Sequence, residues 1–528
     1  MNKSSASSKT AINKATEAPR KLDRETLERE LWKAADILRG SIDSSDYKNY
    51  IFALLFLKRM SDRFEEEAQD ILQDTGDRAL AYDDPDEHRF YVPENARWEH
   101  LMTVSEGLGV ALNVATHALA NTNKTLEGVL DIVDFADERR LGGQANINTI
   151  LRKLVQHFDR IPLGNDSFGE PDLLGRAYEY LIEKFADDAG KKGGEFYTPK
   201  TVVELLVSLL EPQQGMRVSD PACGSGGILI EAAQHVEQDV YGKAGRPRNV
   251  PLDLALYGQE KNVNTWAIAK MNMLLHDYPE ADIRHGDTFA DPMPDVDGKS
   301  ALMLFDIVAA NPPFSLKQWT PDRWEGRDPF RRFTHGTPPA SKGDYAFIQH
   351  MLATLRDGGR AGIITAHGVL FRGGEEERIR RSILEDDQLE AVIGLPANLF
   401  YGTGIPAAIL LFNRAKPAER QNRVLFMDAS KDFLPGKKQN KLQPGHIART
   451  VAAFKSYEDV EGYSRVVTLD EIAGNDWNLN LSRYVSAAAV TEAIDLHATL
   501  KRLQELEGQR DEARAKVNGY LKALGIEV

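Results

Sequence analysis

Phe305-Asp306-Ile307-Val308-Ala309-Ala310-Asn311-Pro312-Pro313-Phe314 is a short apolar run closed by a stiff polar turn. The run 305–310 reads as a buried strand of the kind that fills parallel sheets. Earlier in the chain Met216-Arg217-Val218-Ser219 leads into Asp220-Pro221-Ala222-Cys223-Gly224-Ser225-Gly226-Gly227, a second strand ended by a glycine-rich turn. From about Asp172 onward, further short apolar runs at 254–257, 361–365, 389–394 and 407–413 alternate with helical periodicity. That alternation predicts an α/β, Rossmann-like domain built on a parallel, doubly wound sheet. Ligands of such sheets lie beyond the carboxyl ends of the strands, where both turns sit.

Outward from this centre the character changes. Leu27, Leu31, Ala35 and Leu38 recur at helical spacing, and residues 47–64, 147–158 and the surroundings of Leu126 read as further helices. The expected organisation is a disordered tail (1–21), an N-terminal helical domain (22–165), the α/β domain (166–415), an irregular linker (416–489) and a C-terminal helix (490–528). That last helix carries a stripe of Leu496, Leu500, Leu503, Ala513, Val517 and Leu521, interrupted by Gly508. The stripe suits docking on a partner.

The chain of 528 residues is 42% hydrophobic, enough for two or three cores. Its tail lacks the apolar stretch of a signal peptide, and no run is long enough to cross a bilayer. One cysteine excludes internal disulfides and cysteine-based zinc sites, no metal spacing is evident among the histidines, and a cytoplasmic setting fits. A net charge of −15 argues against a chain that grips nucleic acid unaided.

The chemistry resides in the turns. Glycines let a backbone approach a ligand closely, and Asp220 could meet the ammonium of S-adenosylmethionine while the amides around Ala222, Gly224 and Gly226 meet its polar atoms. No phosphate-loop pattern is present. Glu260 ends the next strand, where an acid suits two ribose hydroxyls, and Asp287 could accept from the adenine amine of the cofactor. An exocyclic amine on a planar ring is a poor nucleophile because its lone pair is delocalised. The side-chain oxygen of Asn311 and the carbonyl of Pro312 could accept both of its hydrogens, with Phe314 stacked on the ring. Lys317, Arg323, Arg327, Arg331 and Arg332, interleaved with Trp319, Trp324, Phe330 and Phe333, suit contact with DNA, although neighbouring acids also allow an ordinary solvated loop. Cys223 lies inside the cofactor turn, which argues against covalent attack on a cytosine ring.

With these residues in view, the chain from residue 22 onward resembles the modification (methylation) subunits of type I restriction–modification systems. Gly194-Glu195-Phe196-Tyr197-Thr198-Pro199 is similar to the family's upstream cofactor motif, so Phe196 and Thr198 would help enclose the cofactor. Asp344-Tyr345-Ala346-Phe347 is similar to the motif of a helix backing the target-base pocket. The resemblance implies the γ-type motif order and N6-adenine methylation of a flipped base. It also implies DNA, a specificity subunit, a second modification subunit and a restriction subunit as partners. Asn-Pro-Pro-Phe rather than Ser-Pro-Pro-Tyr favours adenine N6 over cytosine N4. A stand-alone DNA methyltransferase, a protein glutamine methyltransferase and a scaffold without activity are the rival readings.

Overall fold

The computed structural model describes residues 21–39, 44–170, 172–189, 197–242, 245–247, 250–295, 302–321, 327–485 and 496–523. The expected tail at 1–21 lies almost wholly outside them.

The N-terminal part is helical: α1 (Arg24–Leu38), α2 (Ser44–Thr75), α3 (Arg78–Asp83), α4 (Trp98–Thr103), α5 (Leu108–Thr122), α6 (Glu138–Leu141) and α7 (Gln144–Asp159). Asp23 starts α1 by accepting the Thr26 amide at 2.8 Å, and Leu27, Leu31, Ala34, Ala35 and Leu38 form its buried stripe. The expected helix near Leu126 is only a 3-10 turn, Lys124–Leu126, that follows the longer α5. Next comes α8 (Leu173–Ala189), whose Leu174, Ala177, Tyr178 and Leu181 join this helical core although sequence alternation assigns them to the next domain.

The remaining chain builds a nine-stranded sheet among the described residues. Its elements are α9 (Lys200–Leu210), β1 (Arg217–Asp220), α10 (Gly227–Tyr241), β2 (Ala255–Glu260), α11 (Val263–Leu275), β3 (Asp282–His285), β4 (Phe305–Ala310), α12 (Asp344–Ala353), β5 (Leu355–Ala366), α13 (Gly368–Phe371), α14 (Glu375–Glu385), β6 (Leu389–Gly394), β7 (Ala407–Asn413), β8 (Arg423–Asp428), α15 (Pro444–Ser456), β9 (Ser464–Thr468), α16 (Leu469–Gly474) and α17 (Leu496–Ala523). Strand order is β3-β2-β1-β4-β5-β7-β6-β8-β9. The chain winds outward from β1 through β2 to β3, then returns to β4 on the other side of β1. The switch point thus falls between β1 and β4, with Ser219 beside Val308. The two motif turns therefore leave the sheet next to each other.

All six residues of β4 are buried. Ile307 and Ala309 pack into the core on one face, and Phe305, Val308 and Ala310 into the core on the other. The expectation of a purely parallel sheet is corrected at two strands. β7 runs antiparallel to both β5 and β6, because the link from β6 is a loop with no helix to carry the chain across. β9 runs antiparallel to β8. The expected irregular linker at 416–489 is also corrected: it carries β8, α15, β9 and α16, with Val424, Leu425, Phe426 and Met427 fully buried. The polar stretch between β8 and α15 masks this in the sequence.

Gly508 does not interrupt α17. Leu500, Leu503, Leu506 and Val517 are about half exposed, and Tyr520 more so. No helix among the described residues is long and apolar enough to cross a membrane.

Candidate active site

Asp220 closes β1 and is fully buried, with Oδ1 accepting the Ala222 amide at 3.0 Å. Burial pushes its carboxyl up to about 8, with Glu260 adding to the rise and the Ala222 N–H opposing it. The turn then requires glycine twice: φ is +54° at Gly224 and +83° at Gly226. A Cβ on Gly226 would also meet Met273 Cε at 2.7 Å. Gly226 caps α10 and donates its own amide to the Cys223 carbonyl, so the amides without an intrahelical partner are those of the first helical turn, from Gly227 onward. Burial raises the Cys223 thiol well above its ordinary value, which suits an inert core group.

Glu260 ends β2 and ties the second loop to the first. Its Oε2 accepts the Gly224 amide at 3.2 Å and its Oε1 the Asn262 amide at 2.7 Å. Burial raises this carboxyl too, against the pull of those amides. Asp287 is more occupied: Oδ1 accepts the Phe289 and Ala290 amides, and Oδ2 pairs with Lys261 at 2.8 Å.

The Asn311 amide is fixed from outside its own turn. Nδ2 donates to Thr198 Oγ1 at 2.9 Å, and this leaves Oδ1 buried without a hydrogen-bond partner among the described residues. Pro312 is buried, and Phe314 meets Phe400 edge to face with centroids 5.9 Å apart. Beyond the turn, Ser315 has φ +55° and donates its amide to Asp344 Oδ1 at 2.8 Å. Asp344 Oδ2 takes Arg372 Nη2 at 2.5 Å, and Arg372 in turn holds Glu376. The start of α12 therefore pins the Asn-Pro-Pro-Phe turn.

Two adjoining cavities open here. One, of about 360 Å³, is walled by Thr198, Asp220, Gly224, Asn311, Pro312 and Phe314. The other, of about 480 Å³, is walled by Glu260, Asp287, Phe289, Leu316, Lys317 and residues of α2. Ala222, Asn311 and Pro313 line both, so the Asn-Pro-Pro turn is the partition.

The sequence missed Phe400, Tyr401, Gly402 and Thr403, which complete the first cavity from the β6–β7 loop. Their signal was Leu399-Phe400-Tyr401-Gly402-Thr403-Gly404, an aromatic pair before a glycine-flanked turn. Phe196 and Arg323 lie outside the described residues, while Tyr197, next to Phe196, lines the first cavity. Lys317, Arg327 and Arg331 are exposed. Arg332 is corrected: it is 1% exposed, and its guanidinium binds both Asp328 oxygens and the carbonyls of Thr288 and Phe289. A cation held this way is unavailable to a phosphate. Trp319 is likewise buried, between Phe289 and Phe333.

The family model of the N-6 DNA Methylase matches residues 169–493, and that of the HsdM N-terminal domain matches residues 27–158. The MjaVII methylase subunit of a type I restriction enzyme from Methanocaldococcus jannaschii is 33% identical, over 96% of this chain and 85% of that one. The HindI methylase subunit from Haemophilus influenzae is 32% identical, over 83% of this chain and all of its own length. Among solved structures, the type I restriction-modification methyltransferase subunit from Streptococcus thermophilus superposes with a TM-score of 0.76 at 31% identity, covering 88% of this chain and 100% of its own. The chain therefore belongs to the N-6 DNA methylases, as a methylase subunit of the type I restriction–modification family and an S-adenosylmethionine-dependent DNA methyltransferase.

Proposed function

We propose that this chain methylates the N6 amine of an adenine flipped out of duplex DNA, and that the partition turn Asn311-Pro312-Pro313-Phe314 performs the transfer. The observation that carries the reading is the Asn311 amide. Thr198 occupies its Nδ2, so Oδ1 remains an unsatisfied acceptor at a cavity wall. A buried acceptor without a partner is costly unless a ligand supplies the donor. An amine N–H is such a donor.

The residues fit the cofactor. Asp220 would take its ammonium, the Gly224–Gly226 turn its carboxylate side, Glu260 its ribose hydroxyls, and the chamber by Asp287 its adenine. Phe196 and Thr198 would close the methionine end. When bound, the cofactor supplies an electrophilic methyl group on a sulfonium centre. Asn311 Oδ1 and the Pro312 carbonyl would accept the two hydrogens of the adenine amine, drawing the nitrogen toward a pyramidal form whose lone pair faces that methyl. Phe314 and Phe400, their rings inclined by 76°, would bound the flipped base on its face and its edge, offsetting an unstacking cost on the order of a few kcal/mol. The methylated nitrogen releases its proton readily, so no strong base is required. Cofactor turn before catalytic turn is the γ-type order.

DNA sequence would be read by a separate specificity subunit. The net charge of −15 and the half-exposed leucines of α17 support this, as do relatives that are methylase subunits of multi-part type I enzymes. A second modification subunit and a restriction subunit would complete the assembly, in a cytoplasmic setting. Lys317, Arg327 and Arg331 remain the candidates for phosphate contact, with Arg323 beyond the described residues.

The test is incubation with radiolabelled S-adenosylmethionine and mixed genomic DNA, with and without a co-expressed specificity subunit, followed by digestion to nucleosides. Label in N6-methyladenine only with the partner is the expected result. Label without it marks a self-sufficient enzyme, and cofactor binding with no labelled nucleoside turns the reading toward a protein amide.

A further inference from the structure

The second cavity is not made by the sheet domain alone. Asp46, Lys48 and Asn49, from the first turns of α2 in the helical region, line it opposite Glu260, Asn262 and Asp287. Asn49 is 5% exposed, and its Oδ1 is buried without a hydrogen-bond partner among the described residues. The two carboxylates across the cavity, by contrast, already carry partners. Asp287 already accepts two amides and pairs with Lys261, and Glu260 accepts two amides. The helical region sits close by: a Cβ on Gly128 would lie 3.5 Å from the Trp266 ring of α11, and Ala267, Ile268 and Met271 of α11 belong to the helical core.

We infer that Asn49 of the helical region is a ligand of the adenosyl end of the cofactor, its Oδ1 accepting an N–H or O–H of that group, so that the cofactor is held between the two parts of the chain. This rests on the proposed placement of the cofactor and extends it to a region that the sequence assigns no role in binding. Binding would then order the start of α2 against the sheet. The helical region would sense whether cofactor is loaded.

An unsatisfied buried acceptor gives the test an unusual sign. Removing it by Asn49→Ala relieves the unligated chain of a desolvated oxygen, so its melting temperature stays level or rises. Affinity should fall about fivefold to tenfold for S-adenosylhomocysteine, and by the same factor for adenosine, which lacks the amino-acid end. Hydrogen exchange on the unaltered chain supplies a readout free of mutation: S-adenosylhomocysteine should protect amides at 46–56. Unchanged affinities in Asn49→Ala with no protection of α2 overturn the inference while leaving the cofactor site standing. A lower melting temperature with unchanged affinity assigns Asn49 a structural role and also overturns it. If the unaltered chain fails to bind S-adenosylhomocysteine, the site reading itself falls, and this inference with it.

Discussion

Cofactor binding should release a proton, and the amount follows from Asp220. In the unligated chain its carboxyl is raised from 3.8 to about 8, chiefly by burial. At pH 7 it is therefore about 90% protonated. Pairing with an ammonium requires the ionised form, so binding at pH 7 expels about 0.9 proton from this group. Affinity carries the factor 1 + 10^(8−pH), about 11 at pH 7 and about 100 at pH 6, so the Kd should rise about ninefold on acidification by that unit. The sign for the fold is opposite. A folded value above the unfolded one means that protonation stabilises the unligated chain. That contribution is complete below about 3.8 and is lost as pH rises through about 8. Calorimetry of S-adenosylhomocysteine in two buffers of different ionisation enthalpy counts the protons, and titrations at pH 6 and 7 give the affinity ratio. Asp220→Asn should abolish both the release and the pH dependence. No proton release, with the same Kd at pH 6 and pH 7, would refute the placement of the ammonium at Asp220.

Asn311→Ala should lower the methylation rate by roughly 10²–10³-fold, as loss of a preorganised acceptor does, with cofactor affinity nearly unchanged. Single-turnover methylation alongside a cofactor titration separates the two. Arg332→Ala strands Asp328 in the interior and should cost about 3–5 kcal/mol of stability. Denaturant unfolding measures this, and the salt dependence of DNA binding should not change. Leu503→Asp lies on an exposed face of α17 and should leave the melting temperature of the isolated chain within about 1 °C, since surface substitutions cost little. It should nonetheless abolish co-purification with a specificity subunit.

The sequence discloses the parts of the fold that are local and rigid. β4 is legible because five of its six residues are apolar, as burial on both faces favours, Asp306 alone being polar and held by the Arg217 amide and Arg356, and the Gly224–Gly226 turn because only glycine takes its left-handed conformations without strain. Asn311 and Asp220 are legible for the same reason, as each follows directly from a strand end. What stayed hidden is what long-range packing decides. Phe400 reaches Phe314 only because β7 inserts between β5 and β6. Arg332 reads as a surface cation in a charged loop, and only the fold reveals Asp328 and two carbonyls waiting for it. Asn49 sits in a helix whose apolar neighbours, Tyr50 to Leu57, advertise a core and nothing else.

In the proposed site, the reversed direction of β7 would divide the two halves of the reaction between two kinds of chain connection. The donor side rests on loops that open into the crossover helices α10 and α11, and lengthening such a loop disturbs a helix packed on the sheet. The acceptor side is partly bounded by the loop between β6 and β7, whose ends are fixed by adjacent paired strands and whose interior belongs to neither. Substitutions there would reshape the room offered to the incoming base, in a cavity that Asp220 and Gly224 also wall. A designer wishing to change which amine is accepted would begin at that loop, which carries none of the residues proposed to hold the methyl donor.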